Sequence, residues 1–344
     1  MSSINDLRAL AIELNDLHAQ YSRLGWTQYT TGYDFGVMDA YKKFVRFFEN
    51  EKNIGMAGRN VGLREASGKF TIFLDSDTIV TENWLQEFIV SFDEHGPGLY
   101  QGKLLDLKNS KVINSAGNML NIVGLGFSLR KGIIDEGQFD KFQQISYTSG
   151  ACTFSSTKIM KKIQVDPIFF LYHDDLDLGW RAAQLGIKSF YVPNVVVYHA
   201  ESFSFKWSSR KFYLLERNRL YCILTHYSKS TFYKILPGLI IVEIMIFFYF
   251  LSKGMIKEKI KVSNQIFRDR KIIKKKYEEL EKQVQIQVRK SRSATTKDSK
   301  DFAIQRRHKL VVERDYWKNK YERFTMQEVK SGFKNSQMVD IGII

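Results

Sequence analysis

Two carboxylates, Asp75 and Asp77, stand one residue apart where the apolar run of "KFTIFLDSDTIV" breaks off. Carboxylates are hard oxygen donors suited to Mg²⁺ or Mn²⁺, ions that commonly bridge a few protein oxygens to substrate phosphates. On an extended strand, residues i and i+2 point the same way, so both acids would face one cation. Taken alone, the pair reads first as a strand-to-helix turn with Asp77 as its cap, because acids are favoured in turns. A second pair, Asp174 and Asp175, opens "DDLDLGWRAAQLG", where an acid is a common helix cap. His199 closes "VVVYHA" and by itself reads as a strand-end histidine.

The elements that must position these groups follow from apolar periodicity. Residues 1 to about 24 predict a helix, 25–40 a loop, and "FVRFFEN" a strand. "AGRNVGLREAS" predicts a short helix ended by Gly68, and "KFTIFLDSD" the next strand. With Thr81 as cap, "ENWLQEFIVSFDEH" presents apolar residues at 84, 85, 88, 89 and 92, one helical face. "GLYQGKLLDL" and "VINSAG" predict strands, "YTSGACTFSSTKIMKKI" a strand then a helix. A helix over "DDLDLGWRAAQLG", stopped by Gly186, leads into the strand "KSFYVPNVVVYHA". This alternation predicts a layered α/β fold with a largely parallel sheet, in which ligands gather beyond the carboxyl ends of strands. Trp84 and Trp180 are expected to pack rather than to bind sugar.

Beyond the sheet, residues 210–227 predict an amphipathic helix. The most apolar stretch follows, "LPGLIIVEIMIFFYFLSKG". From 236 to 251 it is shorter than the roughly 20 residues that cross a bilayer, and it contains Pro237, Gly238 and Glu243. A lysine-rich helix from Met255 and a weakly hydrophobic tail complete the chain. The expected division is 1–41, a divergent helix and loop; 42–232, the α/β domain; 233–254, a membrane-associated segment; and 255–344, a basic arm.

Composition narrows the classes. With 44% hydrophobic residues in 344, the chain builds a real core. The net charge of +15 is uneven: beyond residue 251 there are 25 Lys and Arg but 12 acids, so the body is close to neutral. A globular domain with a basic arm meets anionic lipid or nucleic acid. The arm mixes acids with bases, as in "KKKYEELEKQ", and lacks the interleaved aromatics of a stacking platform, which argues against nucleic acid. Cys152 and Cys222 provide neither a disulfide framework nor metal-ligand spacing, which fits a reducing, cytosolic setting. "MSSINDLRALAIELNDL" has no signal-peptide core.

Taken in order, "NEKNIGMAGRNVGLREASGKF", the acids, "TENWLQEFI", "YTSGACTFSSTKI", "FFLYHDDLDLGWRAAQLG", "FYVPNVVVYHA" and "YLLERNRL" resemble glycosyltransferase family 2. The closest look is to its rhamnosyl- and galactofuranosyl-transferase-like branch, over about residues 42–250. The resemblance implies a GT-A-like fold. It implies that Asp75, Asp77 and His199 hold Mn²⁺ or Mg²⁺ on a nucleotide-sugar donor, and that Asn53, Gly55, Arg59 and Asn60 line the nucleotide side. It also implies that Asp175 is the general base, with Asp174 beside it as cap. A helix dipole would then keep Asp175 ionised. The acceptor would be a glycan or lipid-linked hydroxyl, and the place the cytoplasmic face of the cell membrane, with the protein peripheral or anchored by 236–251.

The chain departs from the family at its start. The strand resembling "VSVVIPTYN" and the segment ending "VVDNGSTDGS" are not recognisable; "TTGYDFGVMDAYKKF", with Asp34, is a worn version of the second. The expectation is a start-shortened or divergent copy, or a subunit completed by a second copy or another partner. Two readings follow: an inverting, metal-dependent glycosyltransferase, or a non-catalytic relative that scaffolds a membrane glycan-assembly complex.

Overall fold

The computed structural model describes residues 48, 50–200 and 208–293. The expected N-terminal helix and loop, Asp34, most of "FVRFFEN" and the tail beyond 293 lie outside these residues. The described chain forms two compact units. One takes the residues up to Met119, then Ser128–Ala182 and Ile187–Asn218; the other takes Leu120–Phe127, Ala183–Gly186 and the residues from Arg219 onward.

The first unit is built on a mixed sheet. Its strands are β1 (Phe70–Leu74), β2 (Thr78–Val80), β3 (Gly98–Asp106), β4 (Ile113–Ser115), β7 (Gln143–Ile145), β8 (Cys152–Ser156) and β9 (Lys188–His199), in the order β1-β8-β3-β9-β2 with β4 on β3 and β7 on β9. The short pair β5 (Asn118–Leu120) and β6 (Gly126–Ser128) forms a separate ribbon. The expected largely parallel sheet is corrected here: among the described strands only β3 and β9 pair in parallel. β8 runs antiparallel between β1 and β3, and β2 runs antiparallel to β9. Because β8 reverses twice against its neighbours, β1, β3 and β9 still share one direction. Their carboxyl ends, at Leu74, Asp106 and His199, therefore meet at one edge of the sheet.

β3 and β9 are the centre: eight of nine residues of β3 and seven of twelve of β9 are buried. Strands covered on both faces read as continuous apolar runs. Helix α2 (Trp84–His95), which follows the turn 55–58 and α1 (Arg59–Glu65), lays Phe88 onto one face. Phe88 stacks on Phe154 at 5.0 Å between ring centroids, and Trp84 packs against the same cluster. Truncating Phe88 to Ala would cost about 3–5 kcal/mol. α2 begins at Trp84 after a left-handed Asn83, not after Thr81 as cap; the Thr81 hydroxyl instead donates to the Val196 carbonyl at 2.9 Å.

β9 carries a bulge that sequence periodicity does not reveal. Gly102 opposes Val192 but Lys103 opposes Val196, so Pro193, Asn194 and Val195 are extra. Proline lacks the N–H that a ladder needs and is tolerated at such a bulge. Gly102 is required opposite it, since a Cβ there would lie 2.7 Å from the Val195 carbonyl oxygen. The bulge fixes which residue of β9 arrives at the sheet edge, and that residue is His199. Helices α3 (Thr157–Ile163) and α4 (Asp174–Gln184) complete the layers, and Gly186, at φ +79°, ends the turn after α4 as expected.

The second unit is helical. It holds the last two turns of α5 (Ser209–His226), then α6 (Lys229–Ser252), α7 (Ile256–Arg268) and α8 (Arg270–Ser293). The expected apolar segment of 236–251 proves longer, a 24-residue helix that runs through Pro237. Its start is set by Ser228, whose Oγ accepts from the Thr231 N–H at 3.2 Å, a capping signal that outranks the proline. Among the described residues it is the one helix long and apolar enough to cross a membrane. The single lysine-rich helix expected after Met255 is two helices, parted at Asp269.

Candidate active site

Asp75 and Asp77 do not lie on one strand face. β1 ends at Leu74, a turn carries Ser76 and Asp77, and β2 starts at Thr78. The turn is tied on both sides: the Asp75 N–H donates to Ala151 O at 3.0 Å, and the Thr78 hydroxyl donates to Asp75 O at 2.7 Å. β2 then pairs Thr78 with His199, and the Ala200 N–H donates to Asp77 O at 2.9 Å. Strand pairing, not strand alternation, brings the two acids and the histidine together. One ligand atom from each of Asp75, Asp77 and His199 lies within 4.8 Å of the others, and His199 Nε2 is 3.6 Å from Asp77 Oδ1.

The donor set fits a divalent cation. His199 Nδ1 stands 3.1 Å from Asn114 Oδ1, an acceptor, so in the tautomer that donates to it the Nε2 lone pair faces Asp77. Two carboxylates and one imidazole suit Mn²⁺, which tolerates nitrogen better than Mg²⁺ does.

The second acidic pair joins this cluster through Arg59. Its guanidinium donates to Asp75, lies 3.8 Å from Asp174 Oδ2 and donates to Gly150 O at 3.0 Å. Phe73 lies beneath it, 5.4 Å from ring centroid to Cζ. The N–H of the same Gly150 donates to Asp175 Oδ2 at 3.1 Å, and the Leu176 N–H donates to Asp175 Oδ1 at 2.8 Å. Three carboxylates, Asp75, Asp174 and Asp175, thus lie around one guanidinium. Burial pushes the Asp174 carboxyl up to about 7, the neighbouring Asp175 adds to it, and Arg59 opposes. Burial also raises Asp175, against the Gly150 and Leu176 N–H groups and Arg59. At Asp175 desolvation outweighs the hydrogen bonds and the helix terminus, so the carboxyl holds its proton more tightly than an exposed one would. Asp174 is likewise no simple cap, since its side chain faces Arg59 and the first α4 amide bond, Asp177 N–H to His173 O at 2.8 Å, is accepted by a backbone carbonyl.

The turn before α1 is built for close approach. Gly55, at φ +62°, has the Phe170 carbonyl oxygen 2.0 Å from where a Cβ would be, and the Asn53 side chain accepts from the Gly55 N–H at 2.9 Å. Asn60 is buried, with its amide accepting from Val165 N–H at 2.9 Å and donating to Val165 O at 2.7 Å. Asp177 pairs with Arg181 in the next turn and is structural.

Two positioning residues escaped the sequence reading. Asn218, fully buried on α5, donates to the carbonyls of Leu171 at 2.9 Å and Tyr172 at 2.8 Å. It thereby holds the loop in which Tyr172 and His173 take left-handed backbone angles of 66° and 59° just before Asp174. Gln101, buried within β3, accepts from Ser149 N–H at 2.7 Å and from Asn118 at 3.0 Å, and so braces the loop that carries Gly150. Its signal was available: a lone amide inside the apolar run "GLYQGKLL" has to find partners.

Poly(ribitol-phosphate) beta-N-acetylglucosaminyltransferase TarP of Staphylococcus aureus (strain N315) is 29% identical over 137 residues, 39% of this chain and 37% of the relative, so the match spans well under two thirds of that protein. Among solved structures, GalNAc-T7 with UDP, GalNAc and Mn²⁺ aligns at TM-score 0.47 and 16% identity, over 60% of this chain and 42% of that one. S. aureus TarS 1–349 in complex with UDP-GlcNAc aligns at TM-score 0.38 and 18% identity, over 61% and 60%. The model of the family described as glycosyltransferase like family 2 matches residues 37–222, more than half of the chain. The mixed, helix-flanked sheet is GT-A-like, and the chain belongs to glycosyltransferase family 2.

Proposed function

We propose that the chain is an inverting glycosyltransferase that depends on a divalent cation and moves a sugar from a nucleotide-diphosphate donor to a glycan or lipid-linked hydroxyl at the cytoplasmic membrane face. The observation that carries this reading is the Arg59 guanidinium, which links Asp75 of the three-residue donor set to Asp174 beside Asp175. Family membership and a relative named for beta-N-acetylglucosaminyl transfer support sugar transfer.

Inversion needs a base that takes the acceptor proton as the sugar–phosphate bond opens. Asp175 suits that work because both of its oxygens are fixed by backbone N–H groups. Its raised affinity for a proton brings it nearer the operating pH, where a base is most effective. Asp75, Asp77 and His199 would hold Mn²⁺ or Mg²⁺. When bound, such an ion neutralises charge developing on the departing diphosphate. Arg59 supplies a planar cation that shifts from Asp75 toward phosphate oxygens. The segment carrying Asn53 and Gly55 would form the nucleotide side, with buried Asn60 anchoring it to Val165.

Titration calorimetry of the full chain against a panel of nucleotide sugars, with Mn²⁺ and with chelator, tests this reading. Binding of at least one donor that requires the cation is expected. No binding to any of them with Mn²⁺ present overturns it in favour of a non-catalytic scaffold.

A further inference from the structure

The apolar helix α6 is divided lengthwise. Leu239, Ile246 and Phe250 are buried on one face, and Glu243 lies among them in the same i, i+4, i+7, i+11 series. Glu243 is ion-paired on both oxygens: Arg219 of α5 donates to Oε1, and Lys259 of α7 donates to Oε2 at 2.7 Å. Arg219 is 1% exposed and also donates to Val123 O at 3.0 Å. Burial raises the Glu243 carboxyl, but the two cations outweigh it and hold it below the usual carboxylate range. Among the described residues the opposite face is uncovered. Ile240, Ile241, Ile244, Met245, Phe248 and Leu251 are each about half exposed, at 49–60%.

We propose that this unit meets an anionic lipid surface with α6 lying in the plane of the membrane interface, its Ile240–Leu251 face immersed and Glu243 turned inward to Arg219 and Lys259. This rests on the membrane location given under the proposed function and fixes its mode. Two observations select the in-plane arrangement over a span. Glu243 falls within a turn of the midpoint of Lys229–Ser252, so a transbilayer α6 would set its ion pairs near the membrane centre. α7 would go with it: Lys257 and Lys261 flank the residue bonded to Glu243 and are exposed. No such conflict arises in the interface, where apolar residues sink and lysines meet headgroups. Charge complementarity selects the lipid, since Lys229, Lys234, Lys253 and Lys257 sit at the two ends of the apolar face and attract anionic headgroups.

The test uses the full chain. Ile244→Asp with Phe248→Asp changes exposed positions only, and circular dichroism checks that it folds. Co-sedimentation with phosphatidylcholine vesicles containing phosphatidylglycerol should fall at least tenfold in this variant, and wild-type binding should weaken when phosphatidylglycerol is left out. Cysteines placed singly by Tyr233→Cys and Lys253→Cys should both react with a membrane-impermeant maleimide added outside sealed vesicles. Protection of one end means a span and overturns the proposal. So does unchanged vesicle binding in the double variant, including a case where it merely splits a dimer and the face belongs to a second copy. None of these readouts uses a sugar donor, so their failure is separate from failure of the transferase reading.

Discussion

The molecule holds two charged clusters of opposite design. At the sheet edge, Asp75, Asp174 and Asp175 lie around one guanidinium, and one oxygen each from Asp75 and Asp77 converges with a His199 nitrogen within 4.8 Å. In the helical unit, Glu243 alone meets two cations, each bonded to its own oxygen. The first is a surplus of negative charge kept in a partly desolvated place, which is costly unless a cation or a proton compensates. The second bonds both oxygens of its one carboxylate, and its value is to fix how three helices lie together. Carboxylates crowded against one another mark a site that waits for a cation; a carboxylate with a cation on each oxygen marks architecture.

Breaking the first cluster at its cation ligands should have the largest effect. Asp77→Ala is expected to lower transfer by about 10⁴-fold, about 5 kcal/mol of barrier, and chelation of wild type should do the same until Mn²⁺ is restored. Initial rates with a donor identified by calorimetry check this; retained activity with metal present defeats the ligand assignment. Asp175→Asn should cost about 10³-fold in turnover while donor affinity by calorimetry stays within a factor of a few. If binding and turnover fall together, the residue is structural.

The second cluster should break in stability instead. Arg219→Ala leaves Glu243 with Lys259 only and should lower unfolding stability by about 3 kcal/mol, read from urea midpoints. The smallest effect sharpens the contrast through pH. Asp174 binds its proton more tightly when folded than when unfolded, so between about pH 4 and about pH 7 the folded chain carries the extra proton and this contribution to stability falls as pH rises. Asp174→Asn removes that slope. In metal-free protein its melting temperature should exceed wild type by a few degrees at pH 8 and approach it near pH 4, as thermal scans at both values would record. A variant that is less stable at both values would mean that the Arg59 contact outweighs the buried charge.

Much of the sheet edge was legible in the chain. Apolar runs ending on Asp75 and His199, and a helix opening on Asp174, are local patterns that survive folding because each is short and periodic. The Arg59 segment was legible as belonging to the site, yet not as the group between the two acidic pairs, because that contact joins residues 16 and 115 positions apart. Strand direction was not legible: the periodicity of β8 is the same whichever way it pairs. The full length of α6 was not legible from its apolar stretch of 236–251, because the helix starts seven residues earlier, after the cap Ser228, and runs on through Pro237.

By itself, then, the sequence settled which residue types end which elements, because hydrophobic period and turn chemistry act over a few residues. Tertiary structure alone decided that β1, β3 and β9 finish at one edge, that Asn218 and Gln101 brace the loops around Asp174 and Gly150, and that Glu243 turns inward to Arg219 and Lys259. Those outcomes depend on contacts between residues distant in sequence, whose geometry is fixed only when the sheet and helices have packed.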